Sequence, residues 1–322
     1  MLKQLLRFHR IHSGCQRNHN VEMIMKHLRN IVPAVVALLG LTLPAYGVVL
    51  LDDTFADGSR TEQNLPTESA WFANSSANIG ATAGNLALAG PSGSAMYITY
   101  FTPSTAQPLN VGDTLQVTLS LSLNNVAAEN TGRGVRIGLY DFSAGTRVAA
   151  DSFSTGAGTG APGTNVLGYM LNMNMGTTFG IDGPLQIMGR SDTASINLMG
   201  TTGAYTAIGG NGPGLTGDPA FASSTPYTMT FSVTRGSASS VDISTAFFGS
   251  GLAITNTVTD STFNYTGFDT FAIRPAGSAQ GAEGYNISEI RVDYIAVPEP
   301  STIALAGLAA LGLIAGRRRM RR

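Results

Sequence analysis

Between residues 48 and 297 the apolar and polar side chains alternate with a period of two. Leu115, Val117, Leu119, Leu121 and Leu123 face one way, with Gln116, Thr118, Ser120, Ser122 and Asn124 between them. That pattern describes a strand with one face in a core and the other in water. Met229, Phe231 and Val233 alternate with Thr228, Thr230, Ser232 and Thr234, and Ile290, Val292 and Tyr294 with Arg291 and Asp293, in the same manner. Further strands are predicted over 48–55, 85–89, 95–101, 135–142, 169–175, 185–189, 241–248, 252–258 and 268–274. No segment carries a convincing amphipathic-helix pattern. About a dozen short strands, separated by turn clusters such as Asn110-Val111-Gly112-Asp113 and Arg235-Gly236-Ser237, predict an all-β fold: a two-sheet antiparallel sandwich in one domain. Its outer face is rich in Ser, Thr and Asn, which suits water or a sugar. The segments 154–165 and 209–217 are Gly-, Ser- and Thr-rich and predict flexible surface loops.

Both ends of the chain depart from this pattern. Lys26-His27-Leu28-Arg29 is a basic stretch, followed by a predominantly apolar run of 13 residues at 31–43 and then Pro44-Ala45-Tyr46-Gly47. Charge, apolar run and small residues at Ala45 and Gly47 come in the order of a secretory signal peptide over 25–47, with cleavage by signal peptidase after Gly47 and a mature start at Val48. Export would then run through the Sec translocon. A buried core helix does not require that order. Residues 1–24 are polar and basic and precede Met23 and Met25, which suggests a start codon placed too early, or else an extended n-region.

At the other end, Val297-Pro298-Glu299-Pro300 precedes an apolar stretch at 302–316 and the cluster Arg317, Arg318, Arg319, Arg321 and Arg322. Fifteen residues make a helix of roughly 22 Å, short for a hydrocarbon core of about 30 Å. The positive-inside rule keeps the arginines cytoplasmic and places everything before the apolar stretch on the outer side of the inner membrane. These residues closely resemble the PEP-CTERM sorting domain, found in Gram-negative bacteria that encode an exosortase and export an extracellular polysaccharide. The resemblance implies that Val297, Pro298, Glu299 and Pro300 are the motif exosortase recognises, that 302–316 is a transient transmembrane helix, and that the arginines retain the tail until processing. The two prolines hold the motif extended and outside any helix, where a protease can reach it. A permanent C-terminal anchor is the alternative.

The strand order resembles concanavalin A-like, LamG-type jelly-roll sandwiches. Leu50-Leu51-Asp52-Asp53-Thr54-Phe55 looks like their first strand, and Asn64-Leu65-Pro66 with Ala70-Trp71-Phe72 like its following loop. The stretches 134–142, 227–235 and 286–294 look like a central strand, a hairpin partner and the closing strand. The implied organisation is a signal peptide at 25–47, an ectodomain at 48–296 and a sorting signal at 297–322.

Charge and chemistry narrow the function. Residues 48–297 hold 18 acids against 8 arginines, a net charge of −10, whereas both ends are basic. An acidic ectodomain argues against a nucleic-acid partner, which requires surplus Lys and Arg. His9, His12, His19, His27 and the single Cys15 all precede the expected cleavage point. The ectodomain therefore has no imidazole or thiol for a catalytic triad, a zinc site or a disulfide. Glycosidases on this sandwich typically carry E-x-D-x-x-E, so that carboxylates share a strand face, and no such run occurs. Glu289, Arg291 and Asp293 do share a face and read as a solvated ion-pair ladder. The run Gly156-Ala157-Gly158-Thr159-Gly160 lacks the Lys and strand-loop-helix setting of a phosphate-binding loop. Asp52, Asp53 and Asp57 with Gly58 suggest either oxygen ligands for calcium or a solvated turn, the turn being favoured because the spacing departs from the EF-hand loop. Trp71, the only indole, offers a surface for stacking on a sugar, although core packing is the simpler expectation.

Together these features predict a non-catalytic exported protein of the cell surface or extracellular matrix that uses no cofactor and becomes part of, or binds to, the extracellular polysaccharide through a lectin-like sandwich. The alternatives are a glycan-degrading enzyme whose carboxylates meet only in the folded chain, and a structural surface protein without a ligand.

Overall fold

The computed structural model describes residues 46–90, 95–155, 162–200, 202–275 and 281–297. Residues 47–296 form one compact unit. Its strands, in chain order, are β1 (Tyr46–Asp53), β2 (Trp71–Ala73), β3 (Ile79–Thr82), β4 (Asn85–Ala89), β5 (Tyr97–Tyr100), β6 (Gln107–Pro108), β7 (Thr114–Val126), β8 (Val135–Asp141) and β9 (Leu167–Met173). There follow β10 (Leu185–Arg190), β11 (Tyr205–Ala207), β12 (Pro226–Ser237), β13 (Ser240–Gly249), β14 (Leu252–Asp260), β15 (Gly267–Phe268), β16 (Thr270–Arg274) and β17 (Ala282–Ala296). A single 3-10 turn, Ser76–Asn78, is the only helical element among the described residues. No described helix is long and apolar enough to cross a membrane, and the expected membrane segment at 302–316 lies outside the described residues.

Two large antiparallel sheets make the sandwich. The eight-stranded sheet runs β14-β13-β12-β7-β17-β4-β3, with β1 also on β17; the seven-stranded sheet runs β11-β10-β9-β8-β16-β5-β2. Strand β4 occupies Gly284–Ile287 of β17 on one flank and β1 lies beyond it, where Asp52 meets Arg291 at 2.6 Å. The first and last strands of the unit are therefore neighbours. Between the sheets, Leu115, Val117, Leu119, Phe231, Ile243 and Val292 from one side meet Ile137, Leu139, Leu171, Ile187 and Phe271 from the other, all almost fully buried. On β7 and β12 the alternation places Ser and Thr outward, because only one face of this sheet is covered.

The seven-stranded sheet behaves differently. Strands β8, β9 and β10 are buried on both faces, and a second apolar cluster joins Ile98, Tyr140, Met170 and Met188 of the sheet to Met96, Phe142, Val148, Val166, Leu198 and Met199 of the connecting segments. Loops thus roof the outer face of this sheet. Arg190, fully buried, pins the roof: its guanidinium donates to the carbonyls of Gly163 and Ser195, each at 2.7 Å, and to those of Asn197 and Leu198.

Two expectations need correction. Ala70-Trp71-Phe72 is not loop throughout, since Trp71–Ala73 pairs with β5 as β2. The strand expected over 268–274 is broken at Asp269. Its buried carboxylate accepts the Phe142 amide at 3.0 Å and Arg147 at 2.9 Å, turning the chain between two short strands. The 209–217 segment is a largely exposed loop without strand or helix, joined to its neighbours by backbone bonds from the Gly183 amide to the Gly214 carbonyl at 2.9 Å and from the Leu185 amide to the Asn211 carbonyl at 3.0 Å. The Gly156 to Gly160 run lies outside the described residues.

Candidate functional site

The outer face of the eight-stranded sheet carries a groove of about 440 Å³. Register builds it. Phe248 on β13 pairs with Thr228 on β12, Thr228 with Ser120 on β7, and Ser120 with Glu289 on β17; the next row sets Ser122 opposite Asn286. A bulge in β17 between Ile287 and Glu289 leaves Ser288 as an extra residue, and its hydroxyl donates to the Ser120 carbonyl at 3.3 Å. Bulges of this kind re-aim side chains, and here one brings a further hydroxyl to the groove.

Phe248 stands at one wall and is 46% exposed, the only aromatic among the exposed large apolar side chains of the described residues. Its partner on β14 is Ala253, too small to cover the ring. Beyond it the chain reverses through Ser250 and Gly251, both with positive φ (48° and 84°), as a tight turn between β13 and β14 requires. Gly249 has φ of 142°, and a Cβ there would meet the Pro226 carbonyl oxygen at 2.5 Å, so only glycine lets the strand end pass so close.

Electrostatically the groove is quiet. Glu289 at its rim accepts the Ser120 hydroxyl at 3.1 Å. Two positions along the same face, Arg291 pairs with Asp293 at 2.9 Å and with Asp52 at 2.6 Å, and the hydrogen bond to Asp293 holds the guanidinium even more firmly protonated. The expected ladder thus exists between Arg291 and Asp293, while Glu289 turns to a hydroxyl. An aromatic face beside hydroxyls and an amide matches a pyranose ring, whose axial hydrogens stack on the aromatic while its hydroxyls exchange hydrogen bonds.

Other residues singled out in the sequence are scattered. Trp71 is fully buried against Phe55 and Phe271, with ring centroids 6.5 and 6.1 Å away, so it is a core residue and offers no stacking surface to a ligand. Asp52, Asp53 and Asp57 do not converge. Asp52 faces Arg291, Asp53 turns inward to accept the amides of Phe55 at 2.8 Å and Ser69 at 3.1 Å, and Asp57 accepts the Ser59 amide at 3.0 Å. Burial raises the Asp53 pKa, opposed by those two amides. Among the described residues no cluster of three metal-ligating side chains occurs. Val48 is 42% exposed within β1, two residues past the strand's start at Tyr46, and Val297 is 48% exposed just past the end of β17. Ala45, Pro298, Glu299, Pro300 and Arg317, Arg318, Arg319, Arg321 and Arg322 lie outside the described residues. The groove itself was not anticipated. Phe248, a lone aromatic on the polar side of an alternating strand, was the available signal.

No curated protein matches the chain in sequence. Among solved structures, peanut lectin with a nine-residue peptide aligns at 9% identity over 78% of this chain and 98% of its own, with a TM-score of 0.41. The VIP36 exoplasmic/lumenal domain in a Ca2+/Man3GlcNAc-bound form aligns at 12% identity over 71% and 84%, with a TM-score of 0.41. An endo-1,3-beta-glucanase from Streptomyces sioyaensis aligns at 14% identity over 79% and 99%, with a TM-score of 0.40. These are distant likenesses to sandwich proteins, and the fold assignment here rests on the two sheets themselves. The PEP-CTERM protein-sorting motif matches residues 296–319, so the chain carries the mark of an exported protein that exosortase sorts to the cell surface.

Proposed function

We propose that this protein is a non-catalytic constituent of the cell surface or extracellular matrix that binds neutral carbohydrate through the Phe248 groove. The observation that supports the reading is the sorting motif at residues 296–319, which implies export to the cell surface. In this account the Sec translocon exports the chain, signal peptidase releases Val48, and the apolar stretch at 302–316 anchors the protein transiently until exosortase acts at Val297-Pro298-Glu299-Pro300. The arginines from Arg317 onward hold the tail on the cytoplasmic side until then.

A glycan-degrading enzyme is the second reading, and two observations weigh against it. Glycoside hydrolysis needs two carboxyl groups facing one open site about 5–9.5 Å apart. The roof buries the outer face of the seven-stranded sheet, and at the groove the Glu289 carboxylate lies next to Arg291, whose guanidinium is already bound to Asp293 and Asp52. A glycan array with the full-length protein and its Phe248→Ser variant, run beside a reducing-sugar release assay, separates the readings. The proposal expects binding that is lost in the variant, and no sugar release. Sugar release would establish the enzyme, and an array without any binder would leave a structural protein.

A further inference from the structure

The two large sheets end differently at their margins. In the seven-stranded sheet the edge strands β11 and β2 have three residues each, and β2 is covered besides: the Ala73 amide donates to Asp151 at 2.9 Å, and the Ala73 carbonyl accepts the Ser152 amide at 2.8 Å. In the eight-stranded sheet β3 has four residues, and β1 beside it brings the Asp52–Arg291 ion pair. At the opposite end β14 has nine residues, and its strand partner is β13 alone. From Leu252 to Thr259 it holds no charged residue and no proline, and its register with β13 runs without a bulge. Shortness, charge, proline and bulges are what keep a sheet edge from pairing with another chain, and β14 has none of them before its last residue.

The turn before β14 decides which of its backbone groups face outward. Ser250 and Gly251 both have positive φ, and in a two-residue turn of this kind the flanking pair, here Gly249 and Leu252, exchanges both backbone hydrogen bonds. By alternation Leu252, Ile254, Asn256, Val258 and Asp260 turn their amides and carbonyls to β13, whereas Ala253, Thr255, Thr257 and Thr259 turn theirs away from it. All four of the latter are exposed, and among the described residues no backbone hydrogen bond engages them on the open side. Two of their hydroxyls lean back across the sheet: Thr259 donates to Asp242 at 2.6 Å, and Thr257 shares a hydrogen bond with Ser244 at 3.0 Å. The loop beneath the edge is Gly209-Gly210-Asn211-Gly212, where a Cβ at Gly209 would lie 2.8 Å from Val258 and one at Gly212 would lie 3.0 Å from Asn256. Its glycines follow the inner side of β14 closely and offer no side chain that shields the edge.

We infer that the open edge of β14 is an interaction surface for a second copy of this chain, the two β14 strands pairing antiparallel about a two-fold axis. A second copy fits because the edge is complementary to itself. With the axis at Asn256, Thr255 opposes Thr257 of the other copy and Ala253 opposes Thr259, so every outward amide and carbonyl gains a partner. Threonine then faces threonine across the strands, and Asp260 opposes Leu252 rather than a like charge. The join makes two eight-stranded sheets one surface with both outer faces on the same side, so that two Phe248 grooves address a polysaccharide together. That consequence rests on the proposed sugar binding; the pairing does not.

The test is sedimentation of the full-length protein in a mild detergent at about 100 μM, where mass action populates even a weak dimer, with hydrogen exchange followed over residues 252–260. The parent is expected to sediment as a dimer, and exchange over 252–260 to slow as its concentration rises. Thr257→Pro removes an outward amide without touching the β13 ladder, and Thr257→Lys sets two charges beside the axis. Each is expected to weaken dimerisation at least tenfold while circular dichroism shows the parental fold. If Thr257→Pro does not fold, Thr257→Lys gives the answer alone. Ser232→Lys, on the same outer face but two strands in from the edge, and Phe248→Ala should dimerise as the parent does. A monomeric parent, a dimer that folded Thr257 variants leave intact, a dimer abolished by Ser232→Lys or Phe248→Ala, or exchange over 252–260 indifferent to concentration overturns the inference. No sugar enters these measurements, so failure of the groove and failure of the pairing are told apart.

Discussion

Phe248 and Trp71 are both aromatic residues on strands, and their side of the sheet separates their roles. Trp71 points between the sheets and is fully covered, whereas Phe248 points outward beside Ser and Thr and stays 46% exposed. Trp71→Ala is therefore predicted to destabilise the domain by about 3–5 kcal/mol, read by denaturant titration, because it opens a large cavity among Phe55 and Phe271. Phe248→Ala should leave that titration unchanged and weaken neutral-glycan binding about tenfold, roughly 1.4 kcal/mol; parental affinity in this variant would remove the ring from the proposed site. Titration of buried acids gives a further expectation at this scale. Burial raises both Asp53 and Asp269 above the ordinary value of 3.8, against the amide bonds at Asp53 and the hydrogen bonds from Thr270 and Arg147 at Asp269. In the window between that value and the raised ones the folded chain binds more protons than the unfolded chain, so these two groups stabilise the fold as pH falls from neutrality toward 3.8. Thermal scans between pH 7 and 4 should show this contribution, and Asp53→Asn with Asp269→Asn should flatten it.

At the level of elements, the bulged β17 and the close end of β13 hold the groove together. Gly249→Ala should lower Tm clearly and weaken glycan binding along with it, because its Cβ collides with the Pro226 carbonyl and displaces the neighbouring Phe248. A variant with parental Tm and affinity would show that this approach is not needed. The same elements explain what the chain discloses by itself. Strands β7 and β12 were legible because one face meets water, so their polar positions alternate visibly. The roof over β8, β9 and β10 was not anticipated, although Leu167–Met173 is an almost unbroken apolar run, the signature of a strand covered on both faces. Arg190 gave no signal at all, since it bonds to carbonyls of irregular segments rather than to an acid whose charge could be paired with it in the sequence. Three-residue β2 is too short for any periodicity to appear. The groove depends on cross-strand register and on a bulge, both set by pairing between segments far apart in the chain.

Across the whole molecule, the compact unit 47–296 contains neither Cys nor His, and its Asp52, Asp53 and Asp57 are turned to separate partners. Chelator is therefore expected to leave its Tm unchanged, and a fall of many degrees would show that a bound cation supports the fold. The first and last strands of this unit are adjacent, so the expected signal-peptide junction at Val48 and the sorting motif that follows Ala296 leave from neighbouring strands. Processing at both points would release a domain whose ends are already paired in one sheet. The most direct test is the intact mass and cell fraction of the protein and its Glu299→Ala variant in a host that encodes exosortase. The account predicts a surface product that starts at Val48 and lacks Arg317 to Arg322, and a variant that inserts but accumulates unprocessed in the inner membrane. A parent that keeps its arginine tail, or a Glu299→Ala variant processed and displayed like the parent, would contradict it and leave a permanently anchored protein in its place.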